Sequence, residues 1–436
     1  MHKISHSEGG AGERRKRLVV IGGGFAGLTF IKKIDRKQWD VVLIDKNNFH
    51  SFPPLFYQVA SAGLDAGSIC FALRREMRSR RAKGCHYHMG EVRRVDTVRH
   101  VVHTQFETIG YDALVIAAGT TNNFFGMAGL EDKVYTLKST SEAIRCRNDI
   151  LDRLERAAVS GDPELRRKLL SFTIIGGGPA GVEIAGALGE MKRYILKREY
   201  PGIEPDEVQV TLVEGSDRLL QAMSLEASRR VLDYMKSLMV NVRLQTTMTA
   251  YDDNVLTFGD GSQLYSGMVI WTAGVTGVPF EFVGTQPVKA RGGRLEVDEF
   301  NRVAGVDDVY ALGDIAYHAD DEWPHALPQV AQVAIQGAKT LAYNLNRGTW
   351  TRKFKYRDKG TMATVGRNRA VADLQHVRLY GRPAWFIWMI VHLMSLLGMR
   401  NRLTVLITWT WAYFTYSASL RLILRPTRHP HRTRWA

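Results

Sequence analysis

An α/β fold with two Rossmann-like dinucleotide-binding domains and an amphipathic C-terminal segment is predicted by three observations. An apolar run leads into a glycine-rich turn and then a helical pattern from Arg17 to Asp35, and the same order recurs from Ser171 to about Lys197. In each copy the next apolar run ends on an acid, Asp45 in the first and Glu214 in the second. After Arg382 the chain becomes rich in tryptophan, tyrosine and leucine as far as Leu424.

Arg17-Leu-Val-Val-Ile-Gly22 reads as a short buried strand, Gly22-Gly-Gly-Phe-Ala-Gly27 as a tight turn, and Leu28 to Asp35 as a helix. Val41-Val-Leu-Ile44 adds the second strand, which completes a βαβ unit. In the second copy the strand Ser171–Ile175 is followed by Gly176-Gly-Gly-Pro-Ala-Gly181, a helix from Val182 to about Lys197 and a strand from Val208 to Val213. The 38 positions from Gly176 to Glu214 exceed the ~20 usual for this fingerprint. A turn-rich surface loop, Glu199 to Asp206, accounts for the excess. The charged stretch from Arg147 to Leu170 reads as a solvated helix linking domains. Three further apolar runs end on small residues: Leu114 to Thr120, Val269 to Gly274 and Val309 to Asp314.

A chain of 436 residues is longer than one hydrophobic core usually serves, and an apolar fraction of 45% with 24% charged residues is ordinary for a globular protein. The three cysteines, Cys70, Cys85 and Cys146, form neither a CxxC nor a metal-ligand spacing, so no metal is expected and a reducing compartment is indicated. The segment up to Arg17 lacks the apolar stretch of a secretory signal and reads as a tail. A net charge of +15 points to a polyanion. Arg425, Arg428, Arg432 and Arg434 stand directly behind the most apolar part of the chain, and no nucleic-acid motif accompanies the charge. An anionic lipid surface is therefore expected rather than nucleic acid.

Gly22, Gly24 and Gly27 let the backbone approach a pyrophosphate at a helix N-terminus, and Asp45 stands where an acid bonds an adenosine ribose. Gly176, Gly178, Gly181 and Glu214 repeat the arrangement, with Ala273 and Gly274 assigned to the same second site. Two cradles in one chain suggest hydride transfer from a nicotinamide to a tightly held flavin. Gly313 and Asp314, at the end of a returning strand, favour FAD in the first site and NADH in the second; the competing reading of Asp314 is a helix N-cap.

The segments Val20 to Gly27, Phe52-Pro-Pro-Leu-Phe-Tyr-Gln-Val-Ala60, Ala117-Ala-Gly-Thr120, Leu312-Gly-Asp314 and Pro328 to Gln336 resemble the type II NADH dehydrogenases, single-subunit NADH:quinone oxidoreductases. Tyr356 to Gly366 and Gly398 to Leu403 extend the resemblance through the C-terminal part, so that it runs from Arg17 to about Leu424. It implies FAD, NADH, a membrane quinone, peripheral attachment to the cytoplasmic face of the inner membrane, no proton pumping and a homodimer. By position it places Gly22, Gly23, Gly24, Phe25, Ala26, Gly27, Asp45, Lys46, Val92, Gly313, Asp314, Ala331 and Gln332 around FAD. It sets Gln332 and Gln336, one helical turn apart, toward the quinone, and Glu183 between nicotinamide and quinone as the acidic group. The bland alternative for Glu183 is an acid favoured by the dipole of its helix N-terminus. His325 and His392 are further proton-relay candidates. The implied domains are 17–138 with 285–365 for FAD, 139–284 for NADH, and 366–436 at the membrane.

The nearest alternative enzymes, flavin disulfide reductases and sulfide:quinone oxidoreductases, need redox cysteines near the flavin. No CxxC or CxxxxC follows the first glycine turn, and no cysteine lies beyond Cys146. A non-catalytic flavin-binding membrane protein is the alternative of another class. The acceptor is open between menaquinone and ubiquinone. In the stretch from Trp385 to Leu424, the run Trp385–Met399 has 15 residues, short of the ~20 a spanning helix needs. The run Leu403–Leu420 has 18 residues with a threonine and serine component, and an interfacial rather than spanning placement is expected for both.

Overall fold

The computed structural model describes residues 15–415 and 421–424. The chain divides into two compact units, one of Met1–His50, Ala72–Thr120 and Thr276–Arg357, the other of Ser51–Phe71, Thr121–Val275 and Asp358–Ala436.

In the first unit β1 (Lys16–Ile21), β2 (Trp39–Asp45), β3 (His86–Met89), β4 (Ala113–Ile116) and β10 (Val309–Ala311) form a parallel sheet in the order β10-β4-β1-β2-β3. In the second, β5 (Tyr135–Thr136), β6 (Ser171–Ile175), β7 (Gln209–Val213), β8 (Asn241–Arg243) and β9 (Met268–Trp271) form a sheet in the order β5-β9-β6-β7-β8. The central strands are near-continuous apolar runs because a parallel sheet is covered on both faces. Ile21 pairs with Ile44 on one side and Ile116 on the other, and Ile175 likewise with Val213 and Trp271. Strand order reverses at these central strands, so each glycine turn leaves the sheet at its switch point, where ligands bind in such folds.

Helix α1 (Phe25–Ile31) follows the first turn and packs on α6 (Ala331–Arg347). Helix α4 (Pro179–Glu190) follows the second, begins earlier than Val182 and gives way to a π turn at Met191–Ile195 before a last turn at Leu196–Glu199. Helix α3 (Thr140–Val159) corrects the solvated linker expected over that stretch. Its residues Ala143, Cys146, Arg147, Ile150, Leu151, Leu154 and Ala157 are buried. They recur every three or four positions, so the high charge of the segment occupies one face and leaves an apolar stripe on the other. Ser139 and Glu142 cap its start reciprocally.

The second unit also holds the short helix α2 (Phe56–Ala60), α5 (Leu225–Ser237), an antiparallel sheet of β11 (Thr361–Thr364), β12 (Ala370–Asp373) and β13 (Arg378–Tyr380), and helices α7 (Gly381–Ser395) and α8 (Met399–Thr415). The break between α7 and α8 falls at Gly398, in the left-handed region at φ 82° with the Phe71 ring in the space of its missing side chain. Arg402 bonds the Leu396 carbonyl at 2.9 Å and the Met394 carbonyl at 2.8 Å, which caps α7. Both helices show solvent their larger apolar residues: Phe386, Ile390 and Met394 on α7, Leu403, Ile407, Trp411 and Phe414 on α8. Inward they bury Ala384 and Trp388, and Val405 and Trp409. Among the described residues no helix is long and apolar enough to cross a membrane. The end of the second apolar run, 416–420, and Arg425, Arg428, Arg432 and Arg434 lie outside them.

The buried stripe of α3 has a measurable consequence. Leu154→Ala is expected to cost about 2–5 kcal/mol in denaturant unfolding, whereas Arg156→Ala on the exposed face changes stability by less than about 0.5 kcal/mol. Equal small effects at both positions would return α3 to a solvated linker.

Candidate functional site

The first turn begins at Gly22, whose φ of 104° is left-handed and whose missing Cβ would stand 2.3 Å from the Ala117 carbonyl oxygen. A Cβ on Gly27 would meet the Gly22 carbonyl oxygen at 1.9 Å, so only glycine lets α1 lie on its own strand. Gly24 differs. It is the N-cap of α1, no side chain caps the helix, and nothing lies within 4 Å of a Cβ built there. An uncapped N-terminus opening on free space suits an anion, because first-turn N–H groups and the positive end of the dipole face outward.

Asp45 hooks this turn: Oδ2 accepts from Gly23 N at 2.6 Å and Oδ1 from Asn47 N at 2.7 Å. Burial pushes its carboxyl up, while those N–H groups and the charge of exposed Lys46 pull it back. His50 Nδ1 lies 2.9 Å from the Gly23 carbonyl, which can only accept, so this nitrogen carries the proton; burial pushes the imidazole down and keeps it neutral. Val92 is buried in one cluster with Ile21 and Ile44, at the strand ends that carry turn and acid.

On the other side of the cradle Gly313, φ 73°, is wedged so that a Cβ would meet Ala334 Cβ at 3.3 Å and Ala26 Cβ at 3.4 Å. Asp314 follows in a single 3-10 turn, Gly313–Ile315, and does not cap an α-helix. Its carbonyl accepts from Gln329 at 3.1 Å, and its carboxylate favours the charged form of nearby Arg294 against burial. Helix α6 starts at Ala331 without a side-chain cap, which places Gln332 in its first turn. Gln336 is bonded to the Arg357 main chain at both ends of its amide, at 2.9 and 3.1 Å. The first unit thus gathers the glycine turn, Asp45, Asp314 and the start of α6.

The second unit repeats the cradle. Gly176 has φ 111° and would crowd Ala273 at 2.9 Å, and a Cβ on Gly181 would meet the Gly176 carbonyl oxygen at 1.8 Å. Gly178 is the uncapped N-cap of α4, with open space at its Cβ position and Pro179 in the first turn. Glu214 Oε2 accepts from Gly177 N at 2.5 Å and Oε1 from Ser216 N at 2.8 Å. Thr272 Oγ1 lies 2.9 Å from the Ile175 carbonyl and 3.1 Å from that of Gly176. Gly274, at φ 118°, has the Phe125 ring in the space of its absent side chain. Arg218 is bonded to the carbonyls of Met223 and Gln221 and to Ser228 Oγ, so its guanidinium is already occupied.

Two residues past Gly181, Glu183 turns inward and is only 7% exposed. Burial pushes its carboxyl well up; the Thr364 N–H and the Trp388 indole oppose this by favouring the ionised form. Of the two histidine candidates, His325 is exposed on a loop of the first unit. His392 is half-buried, stacked on Trp388, where desolvation holds it down at about 4 and its Nδ1 lies 2.8 Å from the Trp388 carbonyl. A ring so held is neutral at pH 7 and does not store a proton.

Both cradles fit a dinucleotide, and comparison with known proteins agrees. The pyridine nucleotide-disulphide oxidoreductase family matches residues 16–338 and the NDH2 C-terminal domain matches residues 359–416. The type II NADH:quinone oxidoreductase Ndh of Mycobacterium tuberculosis is 33% identical over 421 residues, 92% of this chain and 89% of that protein. The chain belongs to the type II NADH:quinone oxidoreductase family. The mitochondrial internal alternative NAD(P)H-ubiquinone oxidoreductase A1 of Arabidopsis thaliana is 29% identical, over 91% of this chain and 83% of its own length. Among solved structures, NDH2 from Plasmodium falciparum in complex with NADH shares the fold at a TM-score of 0.86 and 22% identity, covering 94% of this chain and 100% of that one. The sulfide:quinone oxidoreductase of Aquifex aeolicus shares it at a TM-score of 0.70 and 16% identity, over 92% and 96% of the two chains.

Within this family framework several residues emerge that the sequence reading did not assign: His50 and Arg294 in the first unit, Thr272, Tyr57, Gln58 and Trp388 in the second. Tyr57 and Gln58 stood in a segment quoted for the resemblance; the others carry no local signal. The open space at Gly24 and Gly178 separates ligand loss from misfolding. Gly24→Val is expected to fold, with an unchanged circular dichroism spectrum, and to lose flavin absorbance, because the valine fills only the anion's space. Gly178→Val is expected to keep flavin and raise KM for NADH about tenfold or more, since one displaced set of charge-assisted bonds is worth that much. A fully flavinylated Gly24→Val protein would refute the first assignment.

Proposed function

We infer that the chain is an FAD-dependent NADH:quinone oxidoreductase that passes hydride from NADH to FAD and then two electrons to a membrane quinone, without proton pumping. The observation that carries this reading is the repeated cradle: one chain with two uncapped helix N-termini, each framed by three close-packed glycines and a strand-end acid. FAD, when bound, supplies the ring that accepts electrons from one partner and returns them to another.

The first cradle is assigned to FAD. The N–H groups that follow Gly24 would receive the pyrophosphate, Asp45 with Lys46 and Val92 would hold the adenosine end, and Gly313 and Asp314 would serve the ribityl side. Ala331 and Gln332, at the positive end of α6, would approach the flavin's pyrimidine edge. The second cradle is assigned to NADH through Gly176, Gly178, Gly181, Glu214, Ala273 and Gly274. Gln332 and Gln336 are assigned to the quinone, Gln336 by exchanging one of its bonds to Arg357. Glu183 is the acidic group between nicotinamide and quinone. Its burial keeps the carboxyl protonated further toward neutral pH, so that it holds a proton for the reduced quinone. The functional division proposed is 17–138 with 285–365, 139–284, and 366–436.

The protein associates peripherally with the membrane, and the outward apolar stripes of α7 and α8 support that placement. The finer assignment is to an anionic leaflet at the cytoplasmic face of the inner membrane, supported by the net charge of +15 and three unpaired cysteines. A homodimer through part of the same aromatic surface is proposed from the family resemblance.

Reduction of a water-soluble quinone analogue by NADH tests the central reading, and an inert flavoprotein would overturn it. Two further outcomes are expected. NADH is preferred over NADPH by about tenfold or more in kcat/KM, because Glu214 repels a 2′-phosphate and Arg218 is tied to carbonyls; equal efficiency would displace Glu214 from the ribose. Ile407→Glu combined with Trp411→Glu lowers binding to anionic liposomes by about tenfold per position, since each apolar side chain is worth about 1.5–3 kcal/mol on burial. Oxidation of NADH by the soluble analogue should persist in that variant.

A further inference from the structure

We propose that Phe125 is a substrate-binding residue of the second cradle: its ring, held out on a strained turn beside Gly274, forms the apolar wall against which the nicotinamide half of NADH lies. The proposal rests on the assignment of this cradle to NADH and adds the side chain that positions the reacting end.

Phe125 has φ 50° and the following Gly126 φ 81°. The Met127 N–H closes the turn on the Phe124 carbonyl at 3.0 Å. Two consecutive left-handed residues inside such a turn make it the type I′ form, which asparagine and glycine occupy readily. A phenylalanine at the first of these positions is strained, and such strain persists only where the surroundings enforce it. Asn123 enforces it here. Its Oδ1 accepts the Phe125 N–H at 2.9 Å, its own N–H donates to the Gly274 carbonyl at 3.2 Å, and its carbonyl accepts the Trp271 indole N–H at 3.0 Å.

Packing of the core does not require the ring. Phe124 and Met127, which flank the strained pair, already anchor the turn against the apolar cluster that contains Trp271. The Phe125 ring is instead 64% exposed, while the Trp271 indole, 6.2 Å from it, is 3% exposed. A strained backbone that holds an apolar ring out of the core gives up stability for something other than packing.

The place of the ring says what it serves. Its Cζ and Cε2 stand 2.5 and 2.9 Å from where a Cβ of Gly274 would be, and Ala273, the residue before, stands 2.9 Å from the Cβ position of Gly176. Ring, Gly274, Ala273 and the glycine turn are therefore successive neighbours. The order of the sheet then selects the half of the ligand. Strands β7 and β9 lie on opposite sides of β6. With the adenosine ribose at Glu214, after β7, and the pyrophosphate across the turn after β6, the chain after β9 is left to the nicotinamide end. A dihydronicotinamide is flat and uncharged, and an aromatic face offers it a large contact area at small conformational cost.

The test uses the full-length holoenzyme with Phe125→Asn, which accepts the conformation of the turn and removes the ring. Relief of strain is expected to raise the thermal midpoint by about 2 °C or more. In anaerobic stopped-flow reduction of the flavin, the NADH concentration giving half the limiting rate is expected to increase about tenfold, the scale of one aromatic contact. The inhibition constant of ADP, which carries the adenosine and pyrophosphate alone, should stay within about twofold, as for a site the ring does not touch. Phe125→Tyr, which keeps the ring, should recover the NADH value. Should Phe125→Asn misfold, Phe125→Gly adopts the same turn and puts the same question. An NADH requirement that stays in place, or one that rises in step with the ADP constant, overturns the proposal. A thermal midpoint lowered to a similar extent overturns it too, since the ring would then be a packing residue. If instead Gly178→Val leaves both NADH and ADP binding unchanged, the assignment of the second cradle fails, whatever Phe125→Asn does.

Discussion

Both cradles depend on one steric condition, the approach of a glycine to the carbonyl oxygen of the glycine five residues before it. At Gly27 and again at Gly181 a single added carbon would stand within 2 Å of that oxygen. This contact decides how near a helix lies to the strand that precedes it. With the helix so close, its first turn sits at the carboxyl edge of the sheet and its N–H groups look into the crevice at the switch point. The anion-binding property of both cradles follows from this steric condition, since no cationic side chain need approach the turn.

The strand-end acid then does two things at once. Asp45 and Glu214 each bond the N–H of the middle glycine and the N–H two residues beyond the acid, so the carboxylate fixes the turn before any ligand arrives. Preorganisation of this kind lowers the ordering cost of binding. Under the proposed assignment it also stations a carboxylate at the ribose end of each cradle, and at Glu214 that charge would discriminate against a further phosphate. Arg218, four residues after Glu214, is bonded to three neighbouring oxygens.

How much of this was legible in the sequence depended on the range of the interactions. The two strand-turn-helix units were readable because their steric requirements fall within six residues, and the acids because they end an apolar run. Helix α3 was misread because its arginines and acids outweigh its stripe in composition while the spacing carries the signal. The π turn after Glu190 has no mark in the residues around it. Glu183 could be named by resemblance, but its environment could not, since it is assembled from residues 57, 364 and 388, which are brought together only by the fold. The same holds for His50 against Gly23 and for Thr272 against Gly176.

The C-terminal helices show why the two ends of the chain's function are hard to separate. An isolated helix pair that exposes Ile407, at 67%, Trp411, at 61%, and Phe414, at 77%, would bury those residues against something apolar, and a bilayer interface accepts aromatic and aliphatic side chains on a helix too short to cross it. The inward face of the same helices is equally committed. Trp388 and Trp409 are buried with their rings 5.9 Å apart, and Arg367 bonds the carbonyls of Ala412 and Tyr413 at 2.7 and 2.9 Å while its own N–H binds Glu190 on α4. The helix that opens the second cradle is thus joined at its far end, through Arg367, to the helix that carries the outward apolar stripe. A substitution that unseats α8 disturbs its outward apolar face and its bonds to Arg367 together, so that loss of activity alone is poor evidence about either. Separating them requires changes confined to one face, and the alternation of outward and inward residues along α7 and α8 supplies those positions.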